Sequence, residues 1–303
     1  MKYVATVICL AALLVLFIVA TSCTLAQNKV AVISLSGPIQ YESYGFLFGG
    51  NVITPGSVRT ELERAKNDVN VKAVVLQVNS PGGSVAASQE IVNELKLLKK
   101  PIVVSMSDLA ASGGYYISAG ADKIVALPGT LTGSIGVISE IPNLEGLFDK
   151  LGIDMQIFIS GKHKDMYAGF RELTPEETVI MQGMTDQLYN QFIQVVARGR
   201  NMSEGKVREL ATGQLYTGVQ AKELGLVDEL GGLQTAIDLA ASLAGISQPE
   251  VEYYEPEPSS ILNTLLGIGW QKLSSVIQIQ SLGTEGIILL ETLNNPYPQP
   301  EYR

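Results

Sequence analysis

Ser112 lies in the run Ala110, Ala111, Ser112, Gly113, Gly114, Tyr115, Tyr116, a hydroxyl flanked by some of the smallest side chains available. Small residues let a helix start tightly against its neighbours, and amides at such a start point outward, where developing negative charge is stabilised. That is a suitable setting for a nucleophile, but an unactivated serine attacks poorly at neutral pH and needs a general base. The chain has a single histidine, His163, so any serine, histidine and carboxylate triad has to run through that one position. Two lysines flank it in the string Ser160, Gly161, Lys162, His163, Lys164, Asp165, Met166. A free lysine keeps its proton up to about pH 10. It can act as the base only where burial against apolar surface disfavours the ammonium form.

The elements that must position these residues read as an α/β protein. Residues 29–35 form a first strand, and 55–67 a helix opened by Pro55. The β-branched run 71–79 has the character of a buried, mainly parallel strand. It ends at Ser80, Pro81, Gly82, Gly83, Ser84, after which 85–98 has helical spacing with Ile91, Leu95 and Leu98 on one face. A strand over 101–107 leads to the Ser112 helix. Adjacent parallel strands would bring these two glycine-flanked helix starts together, and convergent Gly83 and Gly113 amides would make a two-donor hole for an oxyanion. Taken alone, Pro81 to Gly83 also reads as an ordinary turn. On an extended segment Lys162 and Lys164 would share a face, with His163 pointing away.

Downstream, helices are expected over 174–200, 203–210, 218–224 and 236–243, with a short strand over 227–229. Asp228 and Glu229 read as a solvated edge rather than a metal pair, and Arg171 and Glu172 as surface or interface ion pairs.

The net charge of -9 leaves no basic stripe for phosphates, which argues against nucleic acid as a partner. The only cysteines, Cys9 and Cys23, both precede Gln27, so the remainder has neither a disulfide nor a thiolate metal site. Residues 4–20 carry no charge and come after Lys2, the pattern of an uncleaved signal anchor. The alternatives are cleavage after Ser22 or Ala26, or lipoprotein-type processing at Cys23; each places the remainder outside the cytoplasmic membrane. Beyond residue 248, Pro256 and Pro258 mark a linker, 261–277 reads as an amphipathic helix containing Trp270, and 294–303 as a disordered tail. The expected organisation is therefore an anchor or signal segment over 1–28, a catalytic domain over 29–248 and a C-terminal segment over 249–303.

Residues 79–83, 110–116, 132–137 and the Lys164 segment together resemble the signal peptide peptidase A family, membrane-anchored serine-lysine proteases of the ClpP/crotonase superfamily, over roughly residues 29–245. The glycine turn alone is common to that superfamily; Ser-Gly-Gly-Tyr-Tyr joined about fifty residues later to Ser-Gly-Lys-His-Lys-Asp is far more specific. The resemblance implies a ClpP/crotonase-like ββα superhelix with a mainly parallel sheet behind an N-terminal transmembrane helix. It implies Ser112 as nucleophile, Lys164 as general base and acid, and the Gly83 and Gly113 amides as oxyanion hole. Lys164 is preferred to Lys162 because the family motif places the base immediately before aspartate. Ser134, in Gly133-Ser134-Ile135-Gly136, would orient the lysine amine; read without the family it is a polar residue in a glycine-rich connection.

No cofactor or metal is implied. The implied substrates are cleaved hydrophobic signal peptides or other unfolded peptides near the membrane, bound by strand addition along a groove near 130–138. A ring-like homo-oligomer on the extracytoplasmic side of the cytoplasmic membrane, anchored by a single pass, completes the expectation. Two other classes share the fold: a crotonase-type acyl-coenzyme A enzyme, against which export speaks, and a noncatalytic membrane scaffold.

Overall fold

The computed structural model describes residues 28–42 and 51–254. The anchor read over 4–20, Cys9, Cys23, the 261–277 helix with Trp270 and the 294–303 tail all lie outside the described residues. Among the described residues no helix is long and apolar enough to cross a membrane.

Strands β1 (Lys29–Ser36), β2 (Val71–Ser80) and β3 (Ile102–Ala111) form the parallel centre of one sheet, with the pairings Val32 to Val75 and Leu76 to Val104. Their near-continuous apolar sequence reflects burial on both faces. Side chains alternate in direction along a strand, so Val74, Leu76 and Val78 enter the larger core while Ala73 and Val75 enter the smaller one. Helices α1 (Pro55–Asn67) and α2 (Val85–Leu97) contribute Val58, Leu62, Ile91 and Leu95 to the larger core. Helix α8 (Leu233–Leu243) covers the opposite face with Ala236, Ile237, Ala240 and Ala241.

Strand β3 changes partners part-way along its length, and this change aims the Ser112 region. Over Val103 to Met106 it pairs with β4 (Lys123–Ala126), and over Leu109 to Ala111 with β5 (Leu131–Gly133). Between these stretches its register with β2 jumps from Val78 opposite Met106 to Ser80 opposite Ala110. The Leu109 amide released by the jump donates to the Asn79 side chain at 3.2 Å. Bulges of this kind bend a strand and redirect its later residues. The strand expected to end near residue 107 thus continues to Ala111 and turns directly into helix α3 (Gly113–Ser118).

The sheet is completed by β6 (Leu215–Thr217), antiparallel to β5, by β7 (Glu229–Leu230) beside β4, and by β8 (Glu250–Tyr254) parallel to β1. Because β8 lies in the same sheet, the compact unit runs through residue 254, beyond the boundary expected at 248. The β5 edge is taken by β6, and the Ser134 amide bonds to the Gln214 carbonyl at 2.8 Å. A strand-adding groove therefore cannot use 131–133, and only the irregular 136–138 stretch of the expected 130–138 region is left for it.

Between β5 and the long helix α5 (Pro175–Gly199) the chain forms an arm whose helix α4 (Glu145–Leu151) has no buried residue. Helix α5 starts at a capping box between Thr174 and Glu177, and its far half is seated in the larger core through Phe192, Ile193, Val196 and Ala197. After it come two short helices, α6 (Glu204–Leu210) and α7 (Gly218–Glu223).

Asp228 is not a solvated edge. It accepts from the Ile124 amide at 2.8 Å and pairs with Arg200 at 2.8 Å and Lys123 at 3.1 Å, with Arg200 only 6% exposed. Burial pushes its carboxyl pKa up, but the Ile124 amide and the Arg200 and Lys123 cations pull it further down, so it lies below the usual carboxylate value. A carboxyl depressed by folding contributes stability above its unfolded pKa of about 3.9 and loses it as pH falls through the folded value. Asp228→Asn should destabilise the fold by about 2 kcal/mol at pH 7, because Arg200 is left buried without its partner. It should also flatten the fall of melting temperature below about pH 4; thermal melts across pH check both.

Candidate active site

Ser112 stands at the junction of β3 and α3 with φ 52° and ψ -119°, a conformation that a residue carrying a Cβ rarely adopts. The strain is held by its surroundings. Its amide donates to the Gly133 carbonyl at 2.8 Å, its carbonyl accepts from the Tyr116 amide at 2.8 Å, and its side chain makes no capping bond. A strand-to-helix turn that leaves a serine hydroxyl uncommitted is the arrangement of a nucleophile elbow.

Gly82 and Gly83 lie directly against this turn. A Cβ on Gly82 would come within 2.5 Å of the Gly113 amide nitrogen and 2.9 Å of the Ser112 Cβ, and one on Gly113 within 3.2 Å of the Gly83 nitrogen. The backbone approach therefore requires glycine, and it brings together the two amides expected to form the oxyanion hole. The bridge between Ile39 and this turn uses the Gly82 carbonyl and the Ser84 amide, which leaves the Gly83 amide free of it. Gly113 opens a helix, where first-turn amides have no intrahelical partner.

Beside Ser112 lies a small cleft lined by Gly83, Gly113, Val85, Ser88, Tyr116, Gly136, Val137, Leu188 and Phe192. The Tyr116 and Phe192 rings meet at 5.0 Å, and Ser88 spends its hydroxyl on the Ser84 carbonyl. Such walls, without a charged group, suit an apolar side chain. The sequence alone does not point to Leu188 and Phe192. Their four-residue spacing on one helix face is the available signal, but nothing local ties that face to Ser112.

Ser134 follows directly on the end of β5, next to Gly133, whose carbonyl receives the Ser112 amide; it too has positive φ, 49°, but it is not among the residues lining the cleft. Lys164 is not brought to this cleft within the single chain. It is exposed, on a succession of turns over 161–167, so the extended segment on which it would share a face with Lys162 is not formed. Lys162 pairs with Glu176, and His163 lies 3.5 Å from Glu176 and 3.3 Å from Glu177. Lys164 has no carboxylate within salt-bridge range among the described residues. Arg171, expected as a surface ion-pair residue, is the hub of a half-buried network with Asp165 and Glu177. Its guanidinium, and after it the Thr174 amide, holds the Glu177 carboxyl well below the usual carboxylate range, and it lowers Asp165 as well.

A strained serine at a strand-to-helix turn, facing paired glycine amides over an apolar cleft, is the equipment of an acyl-transfer hydrolase. The sequence pattern of Peptidase family S49 matches residues 94–247, and the chain belongs to that family; it is a serine peptidase. It is similar to the signal peptide peptidase SppA of Enterococcus faecium, 38% identical over 256 residues that cover 82% of this chain and 74% of the relative. It is 46% identical to protease slr0021 of Synechocystis over 249 residues, 80% of this chain and 85% of that one. It is 35% identical to the chloroplastic serine protease SPPA of Arabidopsis thaliana over 260 residues, 84% of this chain but 38% of that much longer protein.

Proposed function

We propose that this peptidase uses Ser112 as nucleophile and Lys164 as general base and acid, with Ser134 orienting the lysine amine and the Gly83 and Gly113 amides holding the oxyanion. The observation that carries the reading is Ser112 itself, held at φ 52° with no capping bond and opening into the cleft that Gly83 and Gly113 share. In the cycle, the neutral Lys164 amine takes the hydroxyl proton as Oγ attacks a peptide carbonyl, and the two amides stabilise the oxyanion. The resulting ammonium protonates the leaving amine as the C–N bond breaks. Water, deprotonated by the same amine, then releases the acyl group and restores the serine.

A lysine base must be desolvated, yet Lys164 is exposed in the isolated chain and away from its own Ser112 cleft. The arm that carries it also exposes Ile138 at 81%, Leu151 at 62% and Phe158 at 92%. A second copy of this chain packed on that arm would cover the apolar residues and bury Lys164 in one step. We therefore assign a homo-oligomer in which Lys164 of one copy completes the Ser112 site of another. The finer fold class, a ClpP/crotonase-like superhelix, is part of this reading.

The apolar cleft and the uncharged 4–20 segment support hydrophobic peptides near a membrane as substrates, cleaved signal peptides among them. The same reading has a single-pass anchor within 1–28, a protease domain from residue 29 on the extracytoplasmic side, and a separate C-terminal segment. Mixing and co-refolding inactive Ser112→Ala with inactive Lys164→Ala chains tests the assembly. Hydrolysis of an apolar fluorogenic peptide should return in the mixture, whereas a mixture as inactive as its components contradicts a site shared between copies.

A further inference from the structure

We propose that Arg171 is a positioning residue that clamps the Lys164 turn to the start of α5, so that the base is presented to the Ser112 cleft of a neighbouring copy from a rigid platform; this rests on the reading of Lys164 as the base. The guanidinium spends all five of its N–H groups. Nε donates to Asp165 Oδ2 at 2.9 Å, and Nη2 to Asp165 Oδ1 at 2.8 Å and Glu177 Oε1 at 2.9 Å. Nη1 donates to Glu177 Oε2 and to the Glu172 carbonyl, at 2.8 and 2.9 Å. Both carboxylates are thus held by paired bonds, which fix orientation as well as distance.

The two residues flanking Lys164 are both tied to Glu177. Asp165 reaches it through Arg171, and His163 lies 3.3 Å from it directly. Glu177 is itself immobilised: its side chain is 2% exposed and accepts from the Thr174 amide at 3.0 Å. Further along the same helix Phe192, Ile193 and Val196 are seated in the larger core, so the platform is anchored to the domain. Apolar packing does little to hold the 160–168 stretch, where Met166 is the one buried side chain, so its place depends on these polar bonds. The flanking residues are bound and Lys164 is left projecting, which is what delivery of a base requires.

The test uses the full chain and an apolar fluorogenic peptide. Misplacing a catalytic group by about 1 Å costs about 100-fold. Arg171→Ala should therefore lose about 100-fold in kcat with KM within about threefold. Arg171→Lys should fall nearly as far, because an ammonium cannot reproduce two forks. Added ethylguanidinium should recover about tenfold of the Arg171→Ala loss, and ethylammonium none, a response that general destabilisation would not give. If Arg171→Ala does not fold, Asp165→Asn, which leaves the α5 cap intact, gives the same kcat reading. A kcat within about threefold of the unsubstituted chain while Lys164→Ala is inactive overturns the clamp and leaves the base assignment standing. A lower kcat that comes with loss of the assembly and no guanidinium response also overturns it. Activity retained in Lys164→Ala would instead remove the reading on which the clamp rests.

Discussion

Ser112→Ala is expected to lower kcat for peptide hydrolysis by about 10⁵-fold or more without loss of the fold. The hydroxyl makes no capping bond, so truncation removes no structural hydrogen bond, while the proposed nucleophile is gone. The backbone sharpens the expectation. At φ 52° and ψ -119° any residue with a Cβ is strained by about 1 to 3 kcal/mol, and glycine is not. Ser112→Gly should therefore be as inactive as Ser112→Ala and yet melt at a higher temperature than the unsubstituted chain. A peptide assay and a thermal melt check the pair, and a serine present for structure alone would give the reverse: retained activity, with loss of stability on truncation.

Lys164→Ala is expected to lower kcat by about 10⁴-fold, while Lys162→Ala and His163→Ala keep most of their activity. The three neighbours differ in what they already do. Lys162 is committed to Glu176 on the surface, an exposed pair that contributes little to stability. His163 faces Glu176 and Glu177, where it reinforces the start of α5. Only Lys164 is uncommitted among them, and only a neutral amine can take the serine proton. Activity of the unsubstituted chain should accordingly rise with pH until unfolding or a second group intervenes. Equal losses in Lys162→Ala and Lys164→Ala, or a flat profile between pH 5 and 9, would contradict the assignment.

The central sheet is legible from local pattern. The run at 71–79 is too uniformly β-branched for a surface strand, Pro55 opens α1, and Thr174 with Glu177 marks the start of α5. The glycine turn and the Ser112 run can be paired because adjacent parallel strands end at one edge. The features that escape depend on contacts distant in sequence. The β3 bulge is fixed by Asn79 reaching Leu109, and Asp228 is made structural by Arg200, 28 residues earlier. Strand β8 hides in an acidic stretch because it is an edge, with one neighbour and one face to satisfy. The 160–167 segment reads as extended but is a run of turns, because its conformation is set by the Arg171 bridges rather than by its own residues. Positive φ at Ser112 and Ser134 has no local signature either, since neither residue type prefers it.

The most direct measurement is covalent labelling of the full chain with a fluorophosphonate, with the adduct mapped by mass spectrometry. The account predicts one adduct, on Ser112, lost in Lys164→Ala and kept in Lys162→Ala and His163→Ala. An adduct on another serine, or Ser112 labelled as fast in Lys164→Ala as in the unsubstituted chain, would contradict it.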